Sequence, residues 1–204
     1  MSDEEVLVEE EHLAIGKTEK NKCNEFEPVI TNTKNAAKIL EENGIAYDGE
    51  MDLRKIGFCK IESQQDCLTG SFCIPKLLDV QGSRYRILFF ITKDKVILVD
   101  DDEFSKRLVA RISHRKSNQY KTKEIFLFNY IAEFINRDPE YLIQFEKRLM
   151  ELEEMIHNGH TDNFQSNIMA IRRDLLILRG YYDEIMDVGK ALEENENGYF
   201  EKNS

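Results

Sequence analysis

Phe164, Ile168, Ile171, Leu175, Leu178, Tyr182 and Ile185 follow one another at alternating intervals of four and three residues. That is the a/d spacing of a heptad, and it commits this stretch to a helix with one apolar stripe that needs a partner. A second stripe lies just upstream, in Leu142, Phe145, Leu149, Leu152 and Ile156. Between the two, His157-Asn158-Gly159-His160 breaks the pattern, and Thr161 or Asp162 can cap the helix that follows. Long helices joined by so short a link run antiparallel. Facing stripes would bury about ten apolar side chains, at roughly 1.5–3 kcal/mol each before entropy is subtracted. The spacing places Leu175 against the Leu149 and Leu152 region, where truncation to alanine would cost about 2–5 kcal/mol.

Helical periodicity extends further upstream. Ile125, Phe128, Ala132 and Ile135 mark an apolar face, and Pro139 separates it from the next stripe by removing a backbone donor, with Asp138 available as a cap. A shorter helix is signalled by Phe104, Leu108 and Ile112 at four-residue spacing, followed by a polar link from Ser113 to Thr122. Before it come β-like runs: Gly57 to Ile61, Ser71 to Ile74, Arg86 to Thr92, and Val96 to Val99. The last two flank Lys93-Asp94-Lys95, a turn of hairpin length, and their unbroken apolar character predicts strands covered on both faces. Near the N-terminus Thr33 can cap a helix through Asn43, with Ala36, Ala37, Ile39 and Leu40 as its apolar side and Gly44 just past its end. The preceding residues are polar and unpatterned. The expected organisation is a flexible acidic arm (1–30), an α/β sandwich domain (31–122), a long helical hairpin (123–194) and a last segment (195–204) that is either the start of a missing stalk or a disordered tail.

Composition narrows the function classes. The 204 residues carry 28 Lys plus Arg against 39 Asp plus Glu, a formal charge of −11. This balance opposes a nucleic-acid binder, whose affinity comes from neutralising phosphates, and suits a chain that meets cations. The longest aliphatic and aromatic run, Ile87 to Ile91, is far short of the ~20 residues of a bilayer span. Met1 to Glu11 holds six acids and no Lys or Arg, the reverse of a secretory leader. Cys23, Cys59, Cys67 and Cys73 include no Cys-x-x-Cys pair, and they read as reduced, half-buried strand thiols of the cytoplasm.

Signatures of chemistry are missing. There is no Gly-x-Gly-x-x-Gly, P-loop, Gly-x-Ser-x-Gly elbow or His-Glu-x-x-His, so no catalytic or cofactor-binding residue is assigned and an enzyme is not expected. Of His12, His114, His157 and His160, the last two lie three apart, but Asn-Gly between them marks a turn rather than a shared metal face. Asp100-Asp101-Asp102-Glu103 offers hard oxygen ligands of the kind Mg²⁺ takes, or else favours the start of the next helix through its dipole. Phe104 to Lys123 carries Lys106, Arg107, Arg111, Arg115, Lys116, Lys121 and Lys123 without one acid. With only Tyr120 interleaved, it reads as a solvated face paired with acidic neighbours rather than a nucleic-acid patch.

Order and spacing together are distinctive. Phe90 to Val99, Val109-Ala110-Arg111-Ile112, Phe128 to Ile135, Leu149 to Ile156 and Ile171 to Arg179 place a strand hairpin, a short helix, a basic link and two long helices in succession. Over roughly Arg84 to Glu194 the chain resembles the cytoplasmic N-terminal domain of the CorA family of divalent-cation transporters. The resemblance implies an α/β/α fold, a mixed sheet sandwiched by helices, followed by the antiparallel pair that hangs from a central stalk. It implies five chains around one pore, Mg²⁺ held between cytoplasmic domains to favour the closed arrangement, and a Gly-Met-Asn motif ending the first membrane helix. That motif is absent here, and the segment before Arg84 is shorter than the family's and lacks its acidic stretch. No metal-sensing residue transfers by position, so the metal ligands are unassigned and Asp100 to Glu103 are candidates on chemistry alone.

Two functional readings follow. The first is a regulatory, Mg²⁺-sensing domain on the cytoplasmic face of the cell membrane. In it the pore lies outside this sequence, the chain touches the membrane only through a missing C-terminal segment, and Mg²⁺ is a weak regulatory ligand. The isolated piece is then expected to be monomeric or weakly associated, with the homopentamer formed by the full transporter. The second is an interaction module whose helical hairpin docks a protein partner, with no transport role.

Overall fold

The computed structural model describes residues 26–114, 122–136, 138–159, 163–196 and 198–200. Expectations for Cys23, His12, His160, Arg115, Lys116, Tyr120, Lys121, Thr161 and Asp162, and for the arm up to residue 25, fall outside them. Along the chain run β1 (Val29–Thr31), α1 (Thr33–Glu42), a 3-10 turn (Leu53–Lys55), β2 (Lys60–Ser63), β3 (Leu68–Lys76), β4 (Asp79–Ile91), β5 (Val96–Val99), α2 (Phe104–His114), α3 (Lys123–Ile135), α4 (Asp138–His157) and α5 (Phe164–Glu194).

Alternation along the central strands divides the interior into two cores. Ile87, Phe89, Ile91, Val96 and Leu98 enter one, and Leu88, Phe90, Ile97 and Val99 the other. Both faces of β4 and β5 are therefore covered, as their unbroken apolar runs predict. The sheet order is β1-β5-β4-β3-β2, with β1 parallel to β5 and every other pair antiparallel. The chain thus starts at one edge and crosses a face through α1 and the 3-10 turn to reach the opposite edge. That crossing closes the second core, with Ala36, Leu40 and Leu53 over Phe90 and Ile97. α2, α3 and the C-terminal half of α5 cover the other face, which makes the α/β/α sandwich. Val29 and Ile30, grouped with the arm by their position before the first pattern, are in fact the edge strand β1, too short for a periodicity signal.

Local details follow from residue type. Asn32, not Thr33, caps α1, its Oδ1 accepting from the Asn35 N–H at 3.1 Å. Gly44 supplies the positive φ of 70° just past that helix. Thr92 closes the β4–β5 turn, its Oγ1 accepting from the Lys95 N–H at 3.1 Å. Gly70 is obligatory for space: a Cβ there would sit 2.2 Å from the Lys60 carbonyl oxygen and 2.3 Å from the Phe89 ring. Cys59, Cys67 and Cys73 are free and fully buried rather than half-buried, and burial pushes the Cys59 thiol up to about 12 and the Cys67 thiol to about 11.

The helical hairpin forms with the expected direction: Asp138 meets Tyr182, and Arg148 pairs with Asp174 at 3.6 Å. Pro139 occupies the first turn of α4, where its missing N–H costs nothing. Two apolar faces differ from expectation. On α3 the buried set is Phe126, Leu127, Tyr130 and Phe134, whereas Ile125, Phe128 and Ile135 point outward, Phe128 being 73% exposed. The stack of Phe126 on Tyr130 and the edge contacts of Phe134 with Phe72 and Tyr130 decide that orientation. On α5 the seam includes Ile171 and Leu178 but not Leu175, which is 38% exposed. Beyond Leu178 the buried side moves to Tyr181, Ile185 and Val188, which face the sheet.

Leu178→Ala, at 1% exposure, should cost about 2–5 kcal/mol in chemical denaturation, and Leu175→Ala less than about 1 kcal/mol. Equal costs would refute the packing of α5 described above.

Candidate functional site

The acidic loop between β5 and α2 is the candidate that the sequence singles out. Its first residue, Asp100, is buried at the end of β5, and its carboxylate accepts from the N–H groups of Asp102 at 2.8 Å and Ser105 at 2.5 Å. It therefore satisfies orphan donors at the start of α2. Asp101 turns the other way and accepts from the Thr33 N–H at 2.8 Å and the Thr33 hydroxyl at 2.9 Å, closing the first turn of α1. Glu103 takes a left-handed φ of 55° and pairs with Lys106 at 2.9 Å, which holds its carboxyl below the usual range. Asp102 contributes its carbonyl to Arg107 at 2.9 Å. One short loop thus starts two helices.

This geometry decides how the loop can meet a metal. The oxygens of Asp100 and Asp101 are taken by N–H and O–H donors, so within one copy they do not fit as a ligand pair. Among the described residues no three His, Cys, Asp or Glu side chains gather where they could hold an ion. His114 and His157 end α2 and α4 on the surface.

The described basic residues of this stretch meet groups within the chain. Arg111 meets the buried Glu133 at 3.6 Å, and Arg107 lies 5.9 Å from the Tyr85 and Phe104 ring centres. Lys123 departs most from expectation. It is 6% exposed, and its ammonium donates to the carbonyls of Thr92 at 3.2 Å, Lys93 and Tyr199. The Phe200 ring lies 5.3 Å away, and Asn195 holds Phe200 by two reciprocal hydrogen bonds, of 2.8 and 3.1 Å. The positive φ of Asn195 (46°) and Gly198 (65°) turns the chain back after α5. One buried cation therefore ties the β4–β5 turn, the start of α3 and the segment after α5 together. As one of seven basic residues between Phe104 and Lys123, Lys123 has no sequence signal to distinguish it; only its place as the first residue after the Thr122 cap points to an inward side chain.

The ordered elements can now be set beside known proteins. The model of the family described as CorA-like Mg2+ transporter protein matches residues 33–204. The chain belongs to that family. Two solved structures share the fold of this CorA-like chain. The soluble domain of CorA from Methanocaldococcus jannaschii superposes with a TM-score of 0.56 at 19% identity, over 76% of this chain and 64% of that one. The ZntB cytoplasmic domain from Vibrio parahaemolyticus gives 0.62 at 14% identity, over 85% of this chain and 72% of that one. The CorA-like chain thus spans just under two thirds of the first of these. No curated protein matches it significantly. Among the described residues no helix is long and apolar enough to cross a membrane.

Two substitutions test these contacts. Asp100→Ala should destabilise the CorA-like chain by about 0.5–2 kcal/mol in urea melts, as loss of a helix cap does. Lys123→Met should cost about 1.5–3 kcal/mol and speed amide exchange selectively in the segment after α5. Unchanged exchange there would show that the ammonium does not retain that segment.

Proposed function

We propose that this chain is the cytoplasmic, Mg²⁺-sensing domain of a CorA-like divalent-cation transporter. The observation that carries the reading is the family match over residues 33–204 on an α/β/α fold followed by the long hairpin. The acidic balance, −11 overall, supports it by favouring the approach of divalent cations. In this reading the divalent cation is cargo, conducted through membrane-spanning chain other than the helices described, and the domain sets whether that path is open.

In this reading the sensing step involves more than one copy. A single chain gathers no three-ligand set among its described residues, and the carboxylates of Asp100 and Asp101 already serve helix starts. Mg²⁺ keeps much of its water and needs only one or two protein carboxylates. An ion between neighbouring domains, taking a carboxylate from each, meets that demand. Its loss would leave like charges facing each other and push the domains apart. Self-association into a ring of five is part of the same proposal, weak for this chain alone.

A second reading has its own observation. The hairpin leaves Met150, Met169, Leu176 and Met186 each more than half exposed, the flexible apolar surface of a helix-docking module. In that case association would involve a different protein and be indifferent to divalent cations.

The test is thermal melting together with sedimentation at zero and ~10 mM Mg²⁺. For a dissociation constant near ~1 mM the melting temperature should rise by about 3–5 °C, with a parallel increase in association. Neither change occurring would remove the Mg²⁺-sensing assignment and leave the docking reading.

A further inference from the structure

A cavity of about 300 Å³ opens where the β3–β4 turn, α2, the junction of α3 with α4, and α5 converge. Its wall is aromatic: Tyr85 stacks on Phe104 with ring centres 4.0 Å apart, and Phe134 lies beside Phe104 at 6.5 Å. Its inner end is polar and holds Glu133, Asp138 and Tyr181.

Two features of that inner end need explaining together. Asp138 is 4% exposed, and its carboxylate accepts from the Tyr182 hydroxyl at 2.8 Å without a cation beside it among the described residues. A buried carboxylate is costly unless a positive charge answers it, as Arg111 answers Glu133 at 3.6 Å. Tyr181 is 3% exposed, and its hydroxyl has no hydrogen-bond partner among the described residues. Buried hydroxyls without a partner are rare enough to call for a missing ligand or water. At the mouth, Lys76 holds its ammonium 4.6 Å from the centre of the Tyr85 ring, whose other face is stacked on Phe104.

We propose that the cavity binds a small organic monocation, a primary ammonium carried on an apolar body. The ammonium donates to the Asp138 carboxylate and the Tyr181 hydroxyl, and the body lies against Tyr85, Phe104 and Phe134. At roughly 30 Å³ per water-sized group, the space admits about ten heavy atoms. An anion does not fit, because the charge left unanswered inside is negative. A hard metal ion does not fit either, since it needs about six oxygens where aromatic carbon forms most of the wall. The β3–β4 turn is the lip of the site, with Leu78 projecting into solvent. Neither family membership nor Mg²⁺ sensing is required for this inference.

The test is saturation-transfer NMR on the whole chain with three probes of one shape: phenethylammonium, neutral 2-phenylethanol and anionic 3-phenylpropionate. Phenethylammonium should bind and the other two should not. Asp138→Asn should weaken it by about tenfold or more, the worth of a charge-assisted hydrogen bond, and Tyr181→Phe by a smaller factor. Should Asp138→Asn fail to fold, Tyr181→Phe and the ranking of the probes decide. Equal binding of all three probes would reduce the site to an apolar crevice. Binding of none, or binding unchanged in both variants, would mean that the Tyr181 hydroxyl is partnered by water alone. Any of these results overturns the proposal.

Discussion

α5 must serve two different partners with one helical periodicity, and the architecture depends on how it does so. Its N-terminal half offers Ile171 and Leu178 to α4, while Tyr181, Ile185 and Val188 go to the sheet. Ile171, Leu178 and Ile185 stand nearly in line at seven-residue spacing, and Tyr181 and Val188 widen that stripe to one side, so the buried side drifts slowly from α4 to the sheet along one helix. The neighbouring tyrosines mark the change. Tyr181 packs into the sheet-side core and Tyr182 turns to Asp138 at the start of α4. Because the same helix contributes to both packings, the hairpin cannot swing relative to the sandwich without unseating core residues.

The β3–β4 hairpin reinforces that link from the other side. β4 is 13 residues long, and its first part pairs with β3 alone, projecting past β5. Val80 there is buried among Phe145, Leu152, Ile171 and Leu178, and Gln81 bonds to Asp174 at 2.6 Å and Arg173 at 3.2 Å. A strand projecting from a sheet is ordinarily a pairing hazard; here its tip is taken up by helices. Lys123 works at the far end of β4, in the β4–β5 turn, and the acidic loop at the other end of β5. Asp100 and Asp101 bind the starts of α2 and α1 to the end of β5, and Lys123 binds the β4–β5 turn to the segment after α5. Short polar contacts thus set where each helix begins, and apolar burial sets which side it presents.

What the sequence reveals follows the same division. β5 over Val96–Val99 and the apolar part of β4 are legible because a strand covered on both faces has to be apolar throughout. The hairpin is legible because two stripes and a Gly-containing break leave one sensible pairing. The side of α3 is not: Ile125, Phe126, Leu127, Phe128, Tyr130, Ile131, Phe134 and Ile135 surround that helix, so several stripes can be drawn. Ring packing chooses among them, and it depends on Phe72 from a distant strand. The place of Leu175 is hidden for a related reason, since a heptad count assumes one partner along the whole helix. Likewise, four adjacent acids read as a cluster, although two of them serve helices that start 71 residues apart in the chain (Thr33 and Phe104).

The cavity beside Asp138 lies where these two bodies of packing meet. Its walls come from α2, the α3–α4 junction, α5 and the projecting β3–β4 turn, so it is bounded by both the sandwich and the hairpin. Apolar packing between two units with different axes leaves gaps, and a gap lined with carboxylates and hydroxyls has to be filled with something polar. Asp138 sits at the one point where α4 begins, α3 ends and α5 changes partners, and Tyr182 holds it there. Burial pushes its carboxyl above the ordinary value, while the Tyr182 hydroxyl holds it down. A cation brought to that carboxylate would bear on both layers at once. In this chain the unanswered charge lies at the joint between the two packings.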